Sequence, residues 1–247
     1  GMLRRNFHIF IFATLTISDV FSLSGCGGDS SSYVPPVMVP SDTAEIRVYS
    51  QGDYLTGSLT ATDNDTGQSF FGTVTVTIGE TVQNPFGVEC RPFVHTGVLS
   101  ELTNTGETRN YYARYLVHQD ADNSMYKCGI YNAALEKYVF LTDTATSPNG
   151  VFLDLKSPMQ LGDTSSGVIH FDDGTWEDCE RSVLARENVS TPLGVYEAYR
   201  VDETCSYSDD TTSTSMVWVV PAVFSLSLDA RTAVTVRLRG ILGPAER

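Results

Sequence analysis

The feature that most constrains this chain is a nine-residue pattern, Glu-x-Val-x-x-Pro-[Phe/Leu]-Gly-Val, which occurs twice. One copy covers residues 80–88 and the other residues 187–195. Proline restricts φ to about −65°, and a glycine two residues later tolerates positive φ. Each copy therefore predicts a strand, a sharp corner and a second strand that returns beside the first.

A second motif, Gly-Asp-x-x-x-Gly, precedes each corner and begins at Gly52 and at Gly162. The shared order and similar spacing of the two motifs predict an internal duplication. The two units are expected at residues 45–148 and 157–247. An alignment of the corners without gaps sets Val94 against Val201, and Tyr111 against Trp218. The pattern leaves open whether the units form two domains or share one core.

The remainder of the chain has short runs of Val, Thr, Tyr, Phe and Ile between turn-forming residues. This pattern predicts an all-β fold of antiparallel hairpins, either a sandwich or a strongly curved open sheet. A turn or two of helix is expected only near residues 132–136. Strands are predicted at residues 45–49, 55–61, 71–78, 88–99, 110–118, 125–131, 138–142, 151–155, 166–171, 180–187, 195–205, 213–220 and 233–238.

The N-terminal region has the pattern of an export signal. Gly1 precedes Met2 and is taken as an added residue; Arg4 and Arg5 then precede an apolar stretch at residues 7–20, which is too short to span a bilayer. The sequence Leu23-Ser24-Gly25-Cys26 resembles the lipobox of bacterial lipoproteins. That resemblance implies that residues 1–25 are removed and that Cys26 carries lipid. Glycines after Cys26 imply sorting to the outer membrane of a Gram-negative cell, facing the periplasm or the cell surface.

Residues 26–44 are rich in Gly, Ser and Pro and are predicted to form a flexible tether. The chain has 30 acidic and 16 basic residues, for a net charge of −14. Such a charge repels nucleic acid, so nucleic acid is not an expected partner. The expected contacts are the membrane, through Cys26, and either another envelope protein or an apolar ligand.

Four cysteines remain after Cys26, and an even number in an exported chain predicts two disulfides. Three connectivities are open. A hairpin centred on Pro192 and Leu193 places Cys179 within one residue of direct opposition to Cys205, so this pair is predicted to be bonded. Cys90 and Cys128 then pair by elimination.

No arrangement of residues predicts catalysis, a metal site or a cofactor. His95, His118 and His170 stand singly in predicted strands and are expected to be satisfied surface or interface residues. Aspartates cluster at residues 63–65, 120–122, 172–173 and 209–210, where turn formation explains them better than calcium binding. The aromatic residues suit core and cross-strand packing, or a groove for a glycan or an acyl chain. They are Tyr111, Tyr112, Tyr115, Tyr126, Tyr131, Tyr138, Trp176, Tyr196, Tyr199 and Trp218.

The second unit, over residues 158–223, resembles a β-rich module of uncharacterised bacterial lipoproteins. The resemblance rests on Gly-Asp, the Thr-Pro-Leu-Gly corner and Trp218 followed by Pro221. It implies an architecture and no activity. We therefore expect a non-enzymatic, lipid-anchored module that binds or scaffolds an envelope component. The alternative is a carrier of an apolar or lipid ligand, which requires an inward cavity of several hundred Å³, on the order typical of ligand pockets.

Overall fold

The computed structural model describes residues 9–12, 43–46, 48–63, 68–102, 106–191, 194–219 and 241–242. Within these residues the protein is all-β, as predicted, and the single helical element is a short 3₁₀ turn at Pro148–Gly150. No helix in the described part is long and apolar enough to cross a membrane. The strands are β1 (Ile9–Phe12), β2 (Thr43–Ala44), β3 (Tyr54–Asp63), β4 (Ser69–Ile78), β5 (Val82–Gln83), β6 (Glu89–Glu101), β7 (Thr108–Gln119), β8 (Met125–Asn132), β9 (Lys137–Phe140), β10 (Phe152–Leu155), β11 (Met159–Gln160), β12 (Thr164–His170), β13 (Trp176–Thr191), β14 (Gly194–Tyr207), β15 (Thr212–Val219) and β16 (Ile241–Leu242).

Each predicted unit contains an antiparallel run of neighbouring strands. In the first repeat β3, β4, β6 and β7 pair in that order, and in the second repeat β12, β13, β14 and β15 do so. Strand β1 lies between β3 and β15 and pairs in parallel with β15. Strand β1 falls within the segment predicted as a leader, and that leader stays a prediction. The small strands β2 and β11 pair with each other.

The two Gly-Asp motifs form the same turn. The amide of Gly52 donates to the carbonyl of Ile78, and the amide of Gly162 donates to that of Val183, both at 2.9 Å. Each glycine has a positive φ, +87° and +86°, which favours glycine at that position. The aspartate after each glycine accepts from a backbone amide three residues earlier at 2.9 Å. One local hydrogen-bond pattern therefore explains why both motifs recur.

The two Pro/Gly corners differ in length. In the first, the Asn84 side chain accepts from the amides of Phe86 and Val88 at 2.9 Å, and the loop ends in the short pair of β5 with β6. In the second, Thr191 pairs directly with Gly194, so the strands continue to the turn. Pro192 and Leu193 lie outside the described residues.

The gapless alignment of the two corners is wrong on the strands that follow. Ile78 pairs with Phe93, whereas Val183 pairs with Val201, so Phe93 rather than Val94 corresponds to Val201. Phe93 and Val201 are both buried, while Val94 lies on the opposite face. A slip of one residue exchanges the faces of a strand, and the unequal corners introduce that slip.

Side chains from both repeats form one hydrophobic cluster. Val76, Ile78 and Phe93 of the first repeat and Val183 and Val201 of the second belong to it. The two ends of the large sheet also approach each other, because Leu141 forms a bridge with Phe171. The repeats therefore share a core.

Two glycines of the first repeat lie very close to the neighbouring strand. A Cβ atom at Gly97 would lie 2.5 Å from the carbonyl oxygen of Thr73, and one at Gly72 would lie 2.1 Å from that of Val98. Both glycines lie on the buried faces of neighbouring strands. Glycine here permits close approach of the two backbones.

Five local predictions differ from the structure or lie outside it. Residues 45–46 and 48–50 are not in a strand, and Thr43–Ala44, predicted within the tether, form β2. Residues 132–136 form a hairpin turn rather than helix, because the Asn132 side chain accepts from the amides of Ala134 and Leu135 at 3.0 and 3.2 Å. The strand predicted at residues 233–238 lies outside the described residues, as does Cys26.

Candidate functional site

The four cysteines form the two predicted disulfides. Cys179 and Cys205 are direct cross-strand partners in β13 and β14, with Cα atoms 4.1 Å apart. Cys90 and Cys128 are 6.4 Å apart at Cα and join β6 to β8, the two strands that flank β7. This second disulfide packs on Leu116 of β7. It skips a strand, which explains why the strand register alone did not predict it.

A bulge reconciles the corner with the second-repeat disulfide. Pairing is continuous from Thr191–Gly194 to Ala185–Arg200, then shifts by one residue so that Val183 pairs with Val201. The extra residue, Leu184, is exposed. A hairpin register counted from the corner misses the direct pairing of Cys179 with Cys205 by one residue, and the β-bulge at Leu184 accounts for that residue.

Buried ion pairs link β8 and β10 to β13, and we call this region the seam. Lys127 of β8 forms an ion pair with Glu177 of β13, and Arg181 pairs with both Asp154 and Glu203. The Arg181 and Glu177 residues are only 3% and 2% exposed. A cavity beside Arg181 measures about 20 Å³, which holds about one water molecule. This cavity does not have the size that a lipid carrier requires.

Three side chains of β13 and β14 carry atoms of the kinds that bind metal ions. Cys179, Glu203 and Cys205 bring their sulfur and carboxylate atoms within 4.8 Å of one another. Both sulfurs belong to one disulfide, so they are not available as thiolates. Glu203 is engaged by Arg181. We interpret this group as structural.

One histidine differs from the expected behaviour. His95 is buried, its Nδ1 has no hydrogen-bond partner within the described part of the protein, and its ring packs edge-on against Tyr115. Burial lowers its pKa from 6.5 to about 3. The expectation of a satisfied surface or interface residue is wrong for His95. It holds for His118, whose Nδ1 lies 2.8 Å from the carbonyl oxygen of Glu89.

The described aspartate clusters form turns. Asp120 Oδ1 accepts from the amides of Asp122 and Ser124 at 3.0 and 2.9 Å. Asp173 and Asp209 each accept from the amide and hydroxyl of the threonine two residues later. These contacts are the turn chemistry that the sequence predicted. Residues 64–65 of the first cluster lie outside the described part.

The aromatic residues divide into two groups. Tyr111 and Tyr199 are buried in the core. Tyr112, Tyr131 and Tyr138 instead lie on the side of the first repeat's sheet that faces away from this core, with ring centroids 6.4 Å apart for Tyr112–Tyr131 and 5.6 Å for Tyr131–Tyr138. All three are half-buried. Tyr112 of β7, Tyr131 of β8 and Tyr138 of β9 thus form one surface group.

Arg114 lies at the centre of these three tyrosines, and we call the four residues the Tyr–Arg cluster. Its guanidinium lies 5.5, 4.7 and 5.7 Å from the ring centroids of Tyr112, Tyr131 and Tyr138. Nη1 donates to the Tyr138 hydroxyl at 3.2 Å. Burial by itself lowers the pKa of Arg114, but the hydrogen bond to Tyr138 and the proximity of Tyr112 outweigh it and raise the pKa. Arg114 therefore remains charged.

One part of the sheet surface beside the Tyr–Arg cluster carries no charge apart from Arg114. Over residues 71–77 of β4, 94–100 of β6 and 110–114 of β7 the outward positions alternate with inward ones, and none of these outward positions carries Asp, Glu or Lys; the exposed Glu89 lies at the other end of β6. Phe71 and Val98 are 42% and 54% exposed. We call these positions the outer face. They are Phe71, Thr73, Thr75, Thr77, Val94, Thr96, Val98, Ser100, Asn110, Tyr112 and Arg114.

The corresponding face of the second repeat is acidic. Asp178 and Glu180 are exposed on β13, and Asp202 is half-buried on β14. Arg200 lies on the same face, but it pairs with Glu187 at 3.1 Å and with Asp202 at 3.2 Å. The two repeats share a strand order and present different chemistry to solvent.

Sequence reasoning missed Arg114. The alternation through Tyr112 and Arg114 places both side chains on one face of β7, and that signal was present in the sequence. The convergence of Tyr131 and Tyr138 on Arg114 depends on the pairing of β7, β8 and β9.

The described residues of the chain define an all-β, disulfide-bonded protein whose outer face carries one charge, that of Arg114. Comparison of the chain with protein-family models, with curated proteins and with solved structures found no match.

Proposed function

We propose that this is a non-enzymatic, lipid-anchored protein of the cell envelope whose β module binds another envelope component. The leader-like residues, the lipobox ending at Cys26 and the tether support the anchor. Two disulfides are typical of an exported chain. The binding role is the part of the proposal that depends on the fold.

The outer face carries the binding proposal. In a chain of net charge −14, the eleven positions of the outer face contain a single charge, that of Arg114. Charge depletion with aromatic and Arg enrichment is typical of the centre of an interaction surface. Phe71 and Val98 add exposed apolar area beside rows of hydroxyl groups. Such a surface is better suited to contact with a binding partner than to exposure to water.

The test places negative charge on one face at a time. Thr75 and Thr96 are direct cross-strand neighbours on the outer face, and Thr204 and Thr214 are direct neighbours on the second repeat. The detergent-solubilised full chain is mixed with isolated cell-envelope fragments and sedimented. We expect Thr75→Glu/Thr96→Glu to lose retention at least tenfold and Thr204→Glu/Thr214→Glu to keep it. Equal retention of both variants would overturn the binding role.

The anchor has its own test. Mass spectrometry of protein expressed in a Gram-negative host should find Cys26 as the lipidated N-terminal residue. A chain that is recovered without lipid, or that still contains residues 1–25, would overturn the anchor and leave the binding test unaffected.

A further inference from the structure

We propose that the outer face binds a glycan of alternating neutral and acidic sugars, with Arg114 paired to a sugar carboxylate. This inference rests on the proposed function and names the partner of the same face. Three observations support it. Arg114 has no carboxylate partner among the described residues, the surrounding side chains are hydroxylic and aromatic, and the chain has a negative net charge.

The charge of Arg114 is not neutralised by an acid. Within the described part of the protein, Arg114 contacts tyrosines and no carboxylate within ion-pair distance, and its buried Nε has no hydrogen-bond partner. Arg200, the arginine on the corresponding face of the second repeat, is held between Glu187 and Asp202. A guanidinium offers five N–H donors in a planar fork that matches a carboxylate. Of these two arginines, Arg114 is the one without a carboxylate partner in the described part of the protein.

The side chains around Arg114 suit sugars. Thr96 is the direct cross-strand neighbour of Tyr112, and Val94 is that of Arg114. Hydroxyl groups also extend along β4 at Thr73, Thr75 and Thr77, separated by about 6.6 Å from one to the next on a strand. Hydroxyls both donate and accept, as sugar hydroxyls do, and tyrosine edges add apolar contact.

The negative net charge of the protein limits how many acidic groups a bound ligand can carry. A chain of net charge −14 repels a dense polyanion, which excludes nucleic acid as the occupant of this face. A ligand with one carboxylate for every second sugar instead places single charges on a neutral chain. Peptide-free glycan strands of bacterial cell wall have this chemistry, with a lactyl carboxylate on alternate N-acetylated sugars. An acyl chain offers no hydrogen-bonding groups to a surface that is lined with hydroxyls.

The experiment compares two probes that differ only in that carboxylate. The full chain is titrated calorimetrically with peptide-free cell-wall glycan strands and with chitooligosaccharides of similar length. We expect binding to the acidic strands and at least tenfold weaker binding to the neutral ones. Arg114→Gln should weaken binding to the acidic strands at least tenfold, and Arg200→Gln should change it by less than twofold. Thermal unfolding of each variant checks that the fold is retained.

Other results of these experiments would overturn the glycan inference. Equal affinity for both probes, equal effects of Arg114→Gln and Arg200→Gln, or no binding to either probe would overturn the glycan inference. If Arg114→Gln does not fold, Arg114→Lys keeps the charge without the fork, and unchanged affinity in Arg114→Lys would also overturn it. Retention on envelope fragments that is lost with Thr75→Glu/Thr96→Glu and with protease treatment of the fragments would indicate a protein partner. The proposed function would then stand without the glycan inference.

Discussion

Lys127 and Glu177 join the two repeats through a buried ion pair. Lys127 lies on β8, Glu177 lies on β13, and both side chains are almost fully removed from water. The pair closes the seam at which the two ends of the large sheet meet. Because neither charge is well hydrated, each depends on the other.

Removal of one member of this pair should be strongly destabilising. We expect Lys127→Met to lower the free energy of unfolding by about 3 to 5 kcal/mol, because Glu177 is left buried without this cation. The double variant Lys127→Met/Glu177→Leu should recover most of that loss. Urea denaturation measures both, and Lys137→Met at an exposed site is the control. A single variant as stable as the native protein would show that the pair is not important.

The disulfide between Cys179 and Cys205 should stabilise the second repeat. It closes a sequence separation of 26 residues, for which loop entropy predicts about 3 to 4 kcal/mol. We expect Cys179→Ala/Cys205→Ala to lose this amount in chemical denaturation. Peptide mapping without reductant should recover Cys179 linked to Cys205. A peptide linking Cys179 to Cys90 or Cys128 would contradict the pairing.

His95 should make stability depend on pH. Burial lowers its pKa from 6.5 to about 3, so between these values the unfolded chain binds a proton that the folded chain does not. The free energy of unfolding is therefore unaffected by this titration above pH 6.5. It decreases as the pH falls from 6.5 towards 3, with a slope of at most ~1.4 kcal/mol per pH unit. Denaturation at several pH values should show a shallower slope for His95→Leu. His170→Gln, at an exposed site, controls for the substitution, and parallel curves for His95→Leu and the native chain would contradict the prediction.

Gly97 should tolerate no side chain. A Cβ at this position would lie 2.5 Å from the carbonyl oxygen of Thr73, so Gly97→Ala must displace the neighbouring strand. We expect a loss of about 1 to 3 kcal/mol in thermal or chemical unfolding. Thr96→Ala, on the exposed face of the same strand, is the matched control and should change stability by less than about 0.5 kcal/mol. Similar stabilities of the two variants would argue against close strand packing at Gly97.

Much of the second repeat was predictable because its information is local. The Pro/Gly corner sets the centre of a hairpin, and the hairpin register brings Cys179 opposite Cys205. The same reasoning was less effective in the first repeat, where Cys90 and Cys128 join strands that are not neighbours. The gapless alignment of Val94 with Val201 failed because corner length and the bulge at Leu184 change the register.

The all-β class, the recurring Gly-Asp motifs and the hairpin of the second repeat follow from the amino-acid sequence. Each depends on residues close together in the chain, through turn dihedrals and strand alternation. The burial of His95, the meeting of Lys127 with Glu177 and the position of Arg114 among three tyrosines are visible only in the folded chain. These contacts join residues distant in sequence, and they arise from the order and pairing of the strands, which local patterns do not encode.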